Sequence, residues 1–194
     1  AQGQIPFEKH ISRSGAKAGD WLYVTGEIGG AALALQHILG NVRVEPKYQD
    51  EIQKRLAFPK ARVLAGQALR EYATSAIDLS DGLVADLQHI CEASGVGANI
   101  VLDDLPIPEA LIDTVGLESA YDLALKGGDD YELLFSVAED NKVGMETALA
   151  NTGNKVTCIG QLNGSVKITT TLNNKPVSIK VQNFEHFTKP PIDK

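Results

Sequence analysis

The chain has 194 residues, 43% hydrophobic and 22% charged, which suits one ordinary globular domain and excludes wholesale disorder, collagen and coiled-coil arrays. Its 18 Lys and Arg stand against 25 Asp and Glu, a net charge of −7, and no basic cluster supports a reader of nucleic-acid backbone. A nucleotide enzyme whose carboxylates hold a divalent metal remains open, whereas no apolar run approaches the ~20 residues of a transmembrane helix. Cys91 and Cys158 lie beside Ile90 and Ile159, without metal-ligand spacing, and read as small buried hydrophobes. Residues 1–10 lack the layout of a signal peptide, so a reducing, cytoplasmic home is expected.

In chain order, residues 1–18 read as a polar loop ending in the turn signal Lys17-Ala18-Gly19-Asp20. Trp21-Leu22-Tyr23-Val24 predicts a buried strand, followed after Gly29-Gly30 by a helix over 31–39. A second helix is expected over 47–56, with Asp50–Lys54 and Glu51–Arg55 spaced as i,i+4 ion pairs. Pro59 opens a third, whose stripe is Ala61, Leu64, Ala65, Ala68, Leu69 and Tyr72. A strand over 75–79 leads into a helix over 83–94 with Leu83, Leu87, Ile90 and Cys91 inward. A strand over 98–102 and helical pieces through Leu125 follow, up to a break at Gly127-Gly128.

Tyr131, Leu133, Phe135 and Val137 alternate with Glu132, Leu134 and Ser136, the period of a strand. A helix over 140–150 precedes β segments over 156–162, 166–172 and 177–181, with Asn163-Gly164 as the expected hairpin turn. Without strict βαβ alternation, the expected class is α+β, a single mixed domain.

Chemistry concentrates in two acidic turns. In Asp78-Leu79-Ser80-Asp81-Gly82, two carboxylates and a hydroxyl close a strand and open a helix, and hard oxygen ligands so spaced suit Mg²⁺ and a polyphosphate. The competing reading is an ordinary helix N-cap. In Gly127-Gly128-Asp129-Asp130-Tyr131-Glu132, paired glycines allow close approach to a ligand, against the alternative of a solvated turn. Arg13 could clamp a phosphate, although a lone surface Arg is usually only solvated. Thr25–Gly30 lacks dinucleotide or P-loop spacing, and packing of its helix is the expected role. His10, His37, His89 and His186 share no ligand spacing. The aromatic cluster Phe184-Glu185-His186-Phe187 is expected to dock the chain end, with stacking on a planar ligand the minority reading.

Taken together, Arg13-Ser14-Gly15-Ala16, the stretch from Gly19 to Gly26, Ala76 to Leu83, Gly127 to Leu133 and Phe184 to Phe187 resemble the C-terminal half of the thiamine-monophosphate kinase family. The likeness runs from about Gly3 to Phe187. It belongs to a wider superfamily with aminoimidazole ribonucleotide synthetase, selenophosphate synthetase and a hydrogenase maturation protein. The resemblance implies ATP-dependent phosphorylation of thiamine monophosphate to the diphosphate. It implies Mg²⁺ on Asp78 and Asp81, ATP contacts from Ser80 and Arg13, and thiamine-phosphate contacts from Asp129 and Phe184. The family often has Glu where Asp129 stands.

The same resemblance implies that an N-terminal domain, carrying further metal ligands, belongs with this half. A fragment without it is expected to be inactive, and a homodimer is expected only of the full-length form. Residues 1–18 would then be the entry segment, 19–188 the C-terminal domain and 189–194 a frayed tail. A related ATP-dependent enzyme and a non-catalytic acidic binding module are the alternatives.

Overall fold

In the computed structural model, which describes residues 4–7 and 9–178, the first apolar run becomes β1 (Trp21–Thr25) inside a mixed sheet. The sheet order is β2 (Ala73–Asp78), β4 (Leu133–Val137), β1, β5 (Val156–Asn163), β3 (Gly97–Val101), β6 (Ile168–Leu172) and β7 (Lys175–Val177). All neighbouring pairs are antiparallel except β3 with β6. The connections carry helices α1 (Gly30–Ile38), α2 (Pro46–Ala57), α3 (Val63–Leu69), α4 (Leu83–Ser94), α5 (Glu109–Val115), α6 (Leu117–Lys126) and α7 (Lys142–Ala150). This is the mixed α+β domain expected from the pattern of segments.

Both faces of the sheet are covered. Leu22 and Val24 of β1 join Ile77, Leu83, Leu87 and Ile100 on the α4 side. Tyr23 joins Leu69, Phe135 and Met145 on the side of α3 and α7, its ring stacked 5.7 Å from that of Phe135. A third cluster, with Leu33, Ile52 and Leu111, fills the space among α1, α2 and α5. The strand expected from the alternation over residues 131–137 is present, though shorter and buried on both faces. The strand begins at Leu133, and Leu134, Phe135, Ser136 and Val137 are all buried because helices lie on both sides.

Three local expectations are corrected. The third helix starts at Val63 and not at Pro59, because Arg62 stands outside helical geometry and turns to Glu132. Of its expected stripe, Ala65 and Leu69 are buried but Leu64 is 61% exposed. Asn163-Gly164 does not close a hairpin, since β3 separates β5 from β6. The tight hairpin is instead β6–β7, where Asn173 and Asn174 both take left-handed backbone (φ 51° and 60°) between the paired Leu172 and Lys175. In α2 the Glu51–Arg55 pair forms at 2.9 Å, and Arg55 also reaches Glu27 at 2.5 Å. The last expected strand, over 177–181, is described only to Ser178.

Candidate active site

Both acidic turns lie at one end of the sheet, where β2 finishes and β4 begins. β2 ends at Asp78, Leu79 is buried beneath the turn, and α4 starts at Leu83. The carboxyl-bearing residues Asp78 and Asp81 are exposed, with Ser80 half-buried between them. The N-cap position of α4 falls on Gly82, which offers no side chain, so neither Ser80 nor Asp81 occupies it. The two amides just ahead of the N-cap are met from inside the helix. Asp86, only 2% exposed, accepts N–H bonds from Ser80 (3.0 Å) and Asp81 (3.1 Å) on one carboxylate oxygen.

Burial pushes the Asp86 carboxyl above its ordinary range, opposed by those two bonds and reinforced by the charges of Asp81 and Asp78. Three carboxylates thus share one electrostatic neighbourhood. Sequence reasoning passed over Asp86. The available signal was an acid in the first turn of a helix whose cap is glycine.

The second turn is zipped onto the first by main-chain bonds. Asp129 N–H donates to Ser80 C=O (3.0 Å), Tyr131 N–H to Leu79 C=O (2.8 Å), and Leu79 N–H to Glu132 C=O (2.8 Å). Glycine is required for this approach. A Cβ on Gly128 would lie 2.3 Å from the Ser80 carbonyl oxygen, and Gly82, at φ +111°, would bring one within 2.8 Å of the Lys126 carbonyl. Asp129 and Tyr131 themselves adopt left-handed backbone, at φ 67° and 50°. The Tyr131 hydroxyl donates to Asp129 Oδ1 at 3.2 Å. Its phenol is raised mainly by that bond and the Asp129 charge, then by slight burial and the charges of Asp78 and Asp81. The phenol therefore feels carboxylates from both turns.

The adjacent aspartates divide their work. Asp130 turns inward and accepts N–H bonds from Gly29 (2.6 Å) and Ala31 (3.2 Å), occupying the N-terminus of α1. Burial pushes its carboxyl up to about 6, with the two amide bonds opposing the rise. The Thr25–Gly30 turn is therefore a packing device whose helix N-terminus already holds an internal anion. Behind it, Glu132 is buried and accepts from Arg62 Nε (2.6 Å), Arg62 Nη2 (2.5 Å) and Thr25 Oγ1 (2.5 Å). Leu133 N–H in turn donates to Thr25 Oγ1 at 2.9 Å.

The donor chemistry at Asp78 and Asp81 fits Mg²⁺, which prefers hard oxygens and one or two carboxylates alongside phosphate and water. Ligand atoms of Asp81, Asp86 and His89 also lie within 4.8 Å of one another. Of the other expected contacts, Arg13 is exposed, and its carbonyl accepts from Ser94 Oγ (3.2 Å) at the far end of α4. Its neighbour Ser12 lies along β2, where Ser12 C=O accepts from Ala76 N–H (3.0 Å), two residues before Asp78. Phe184 lies outside the described residues. His37 is a packing residue, its Nδ1 3.2 Å from Val42 C=O, while Cys91 is buried and its thiol is pushed up to about 11 by burial.

Comparison with known proteins converges on one group. The family described as AIR synthase related protein, C-terminal domain, matches residues 17–173. Thiamine-monophosphate kinase of Escherichia coli K12 is 43% identical over 190 residues, covering 97% of this chain and 58% of that protein. The chain thus spans little more than half the length of such relatives. Among solved structures, thiamine-monophosphate kinase from Stenotrophomonas maltophilia aligns with a TM-score of 0.77 at 34% identity, over 86% of this chain and 54% of that one. AaThiL complexed with AMPPCP and TMP aligns with a TM-score of 0.73 at 27% identity, over 91% and 54%.

Proposed function

We propose, for a chain that belongs to the family of the AIR synthase related protein C-terminal domain, that it is the C-terminal half of an ATP- and Mg²⁺-dependent kinase that converts thiamine monophosphate to thiamine diphosphate. The observation that carries this reading is the main-chain zipper between the two acidic turns, which holds Asp78, Ser80 and Asp81 beside Asp129. Identity to thiamine-monophosphate kinases over nearly the whole chain favours this acceptor over those of related ATP-dependent enzymes. A purely capping role is disfavoured, since the N-cap of α4 is Gly82 and Asp78 and Asp81 stand exposed ahead of it.

In this reading Asp78 and Asp81 hold Mg²⁺, which when bound screens the repulsion between two anionic phosphate groups. Ser80 offers a hydroxyl to the nucleotide phosphates. Arg13 would reach the nucleotide with its side chain, from a main chain that runs along β2 beside Ala76. Asp129, steadied by the Tyr131 hydroxyl, orients the thiamine phosphate, and Phe184 supplies an aromatic face to its flat ring. Residues 1–18 are the entry from the other half of the polypeptide. No covalent nucleophile is needed, because such transfer depends chiefly on positioning and charge. Among the described residues, no helix is long and apolar enough to cross a membrane.

The test is product formation by the full-length protein. With Mg-ATP and thiamine monophosphate, chromatography should show thiamine diphosphate and ADP in equal amounts. Turnover of an aminoimidazole precursor in place of thiamine monophosphate would overturn the assignment.

A further inference from the structure

We infer that Asp86 is a positioning residue of this site, a buried clamp that aims Ser80 and Asp81 without itself binding the metal, an inference that rests on the metal-binding reading of the Asp78–Asp81 turn. Two successive amides, of Ser80 and Asp81, converge on one oxygen of a side chain that is 2% exposed. Bonds to successive N–H groups fix the peptide plane between them, and with it the directions in which the Ser80 hydroxyl and Asp81 carboxylate leave the chain.

The clamp stands on a rigid base. Asp86 N–H closes the first helical bond of α4 onto Gly82 C=O at 2.9 Å, and Leu83, Leu87 and Ile90 of the same helix are buried in the main core. Proximity would also allow Asp86 to be a third ligand, since Asp81, Asp86 and His89 present atoms within 4.8 Å. The hydrogen bonds argue otherwise, because Asp86 already spends an oxygen on main-chain donors and sits beneath the exposed turn. Placing a carboxylate there, close to Asp78 and Asp81, is electrostatically unfavourable. Its role is geometric, and the uncharged amide of Asn supplies a carbonyl oxygen of nearly the same reach.

The two roles separate on Asp86→Asn and Asp86→Ala in the full-length protein, read by hydrogen exchange at the Ser80 and Asp81 amides and by the Mg²⁺ concentration that gives half-maximal rate. A clamp predicts that Asp86→Ala accelerates exchange at both amides and raises the Mg²⁺ requirement ~10-fold or more, as loss of an outer-shell partner does. Asp86→Asn should restore both readouts to near the wild-type level, and the KM for thiamine monophosphate should shift little in either variant.

Asp86→Asn as damaging as Asp86→Ala in Mg²⁺ requirement, with Ser80 and Asp81 still protected, would make Asp86 a ligand and overturn the inference. So would wild-type exchange and Mg²⁺ requirement in Asp86→Ala. Should Asp86→Ala not fold, Asp86→Ser, whose hydroxyl is too short to span both amides, gives the same comparison. Asp81→Asn serves as the control. An unchanged Mg²⁺ requirement in that variant would defeat the metal-site reading itself, while exchange in the Asp86 variants would still decide whether the clamp exists.

Discussion

Asp129 and Asp130 are neighbours with opposite fates, and nothing in their spacing decides which turns inward. The left-handed backbone at Asp129 and Tyr131 sends Asp130 under the loop to the α1 amides. The sequence therefore exposed the acidic turn but not the division of labour inside it, since φ signs in a Gly-Gly turn depend on what the turn docks against. The raised carboxyl of Asp130 has a measurable consequence. A carboxyl near 6 in the folded chain and 3.8 when unfolded binds more protons folded than unfolded between those values. Its contribution to stability is therefore most favourable below pH 4, declines as pH rises toward 6, and is level above that. Between pH 5 and pH 7 the loss is roughly 1 kcal/mol. Asp130→Asn should remove that component, so the rise in melting temperature from pH 7 to pH 5 should be smaller in the variant than in the wild type. An identical pH dependence in both would show that Asp130 titrates normally.

At the scale of elements, boundaries that are written locally are legible in the sequence. The helix expected over 83–94 is observed at those limits, because Gly82 and Gly95 punctuate an apolar face at helical spacing. Boundaries set by distant segments are not. The 163–164 turn looked like a hairpin, but β3 had taken the place beside β5, and parallel pairing across such a separation leaves no local mark. The start of α3 is hidden for a similar reason. Arg62 leaves the helix to meet Glu132, a partner 70 residues away, and that bond ties the start of α3 to the segment entering β4. Glu132, read as one member of a strand alternation, is instead the acceptor at a buried junction with Arg62 and Thr25. Removing one partner of such a pair strands the other, so Glu132→Ala should lower unfolding stability by about 3 kcal/mol or more in urea titrations. A loss below about 1 kcal/mol would place the pair among weak surface contacts.

Across the whole molecule, a sheet covered on both faces leaves its functional groups at one end, where two turns distant in sequence are joined by main-chain bonds. Asp78, Ser80, Asp81 and Asp129 were legible as candidates because hard-oxygen residues crowd into short Gly-punctuated turns. Their convergence was legible only through the family resemblance, since periodicity carries no information on which loops meet. Asp86 stayed hidden because an acid in a first helical turn is ordinary, and only its contacts distinguish it.

The proposed role of Asp81, as charge at a metal site, is tested by a substitution that keeps its shape and removes its charge. In the full-length protein, kcat of Asp81→Asn at saturating Mg-ATP and thiamine monophosphate is the direct measurement. The metal-site account predicts a fall of ~10²-fold or more, as expected for loss of one well-placed electrostatic group, with no matching fall in melting temperature. A variant that turns over at the wild-type rate would contradict it, because Asn keeps nearly the shape of Asp but cannot supply the charge.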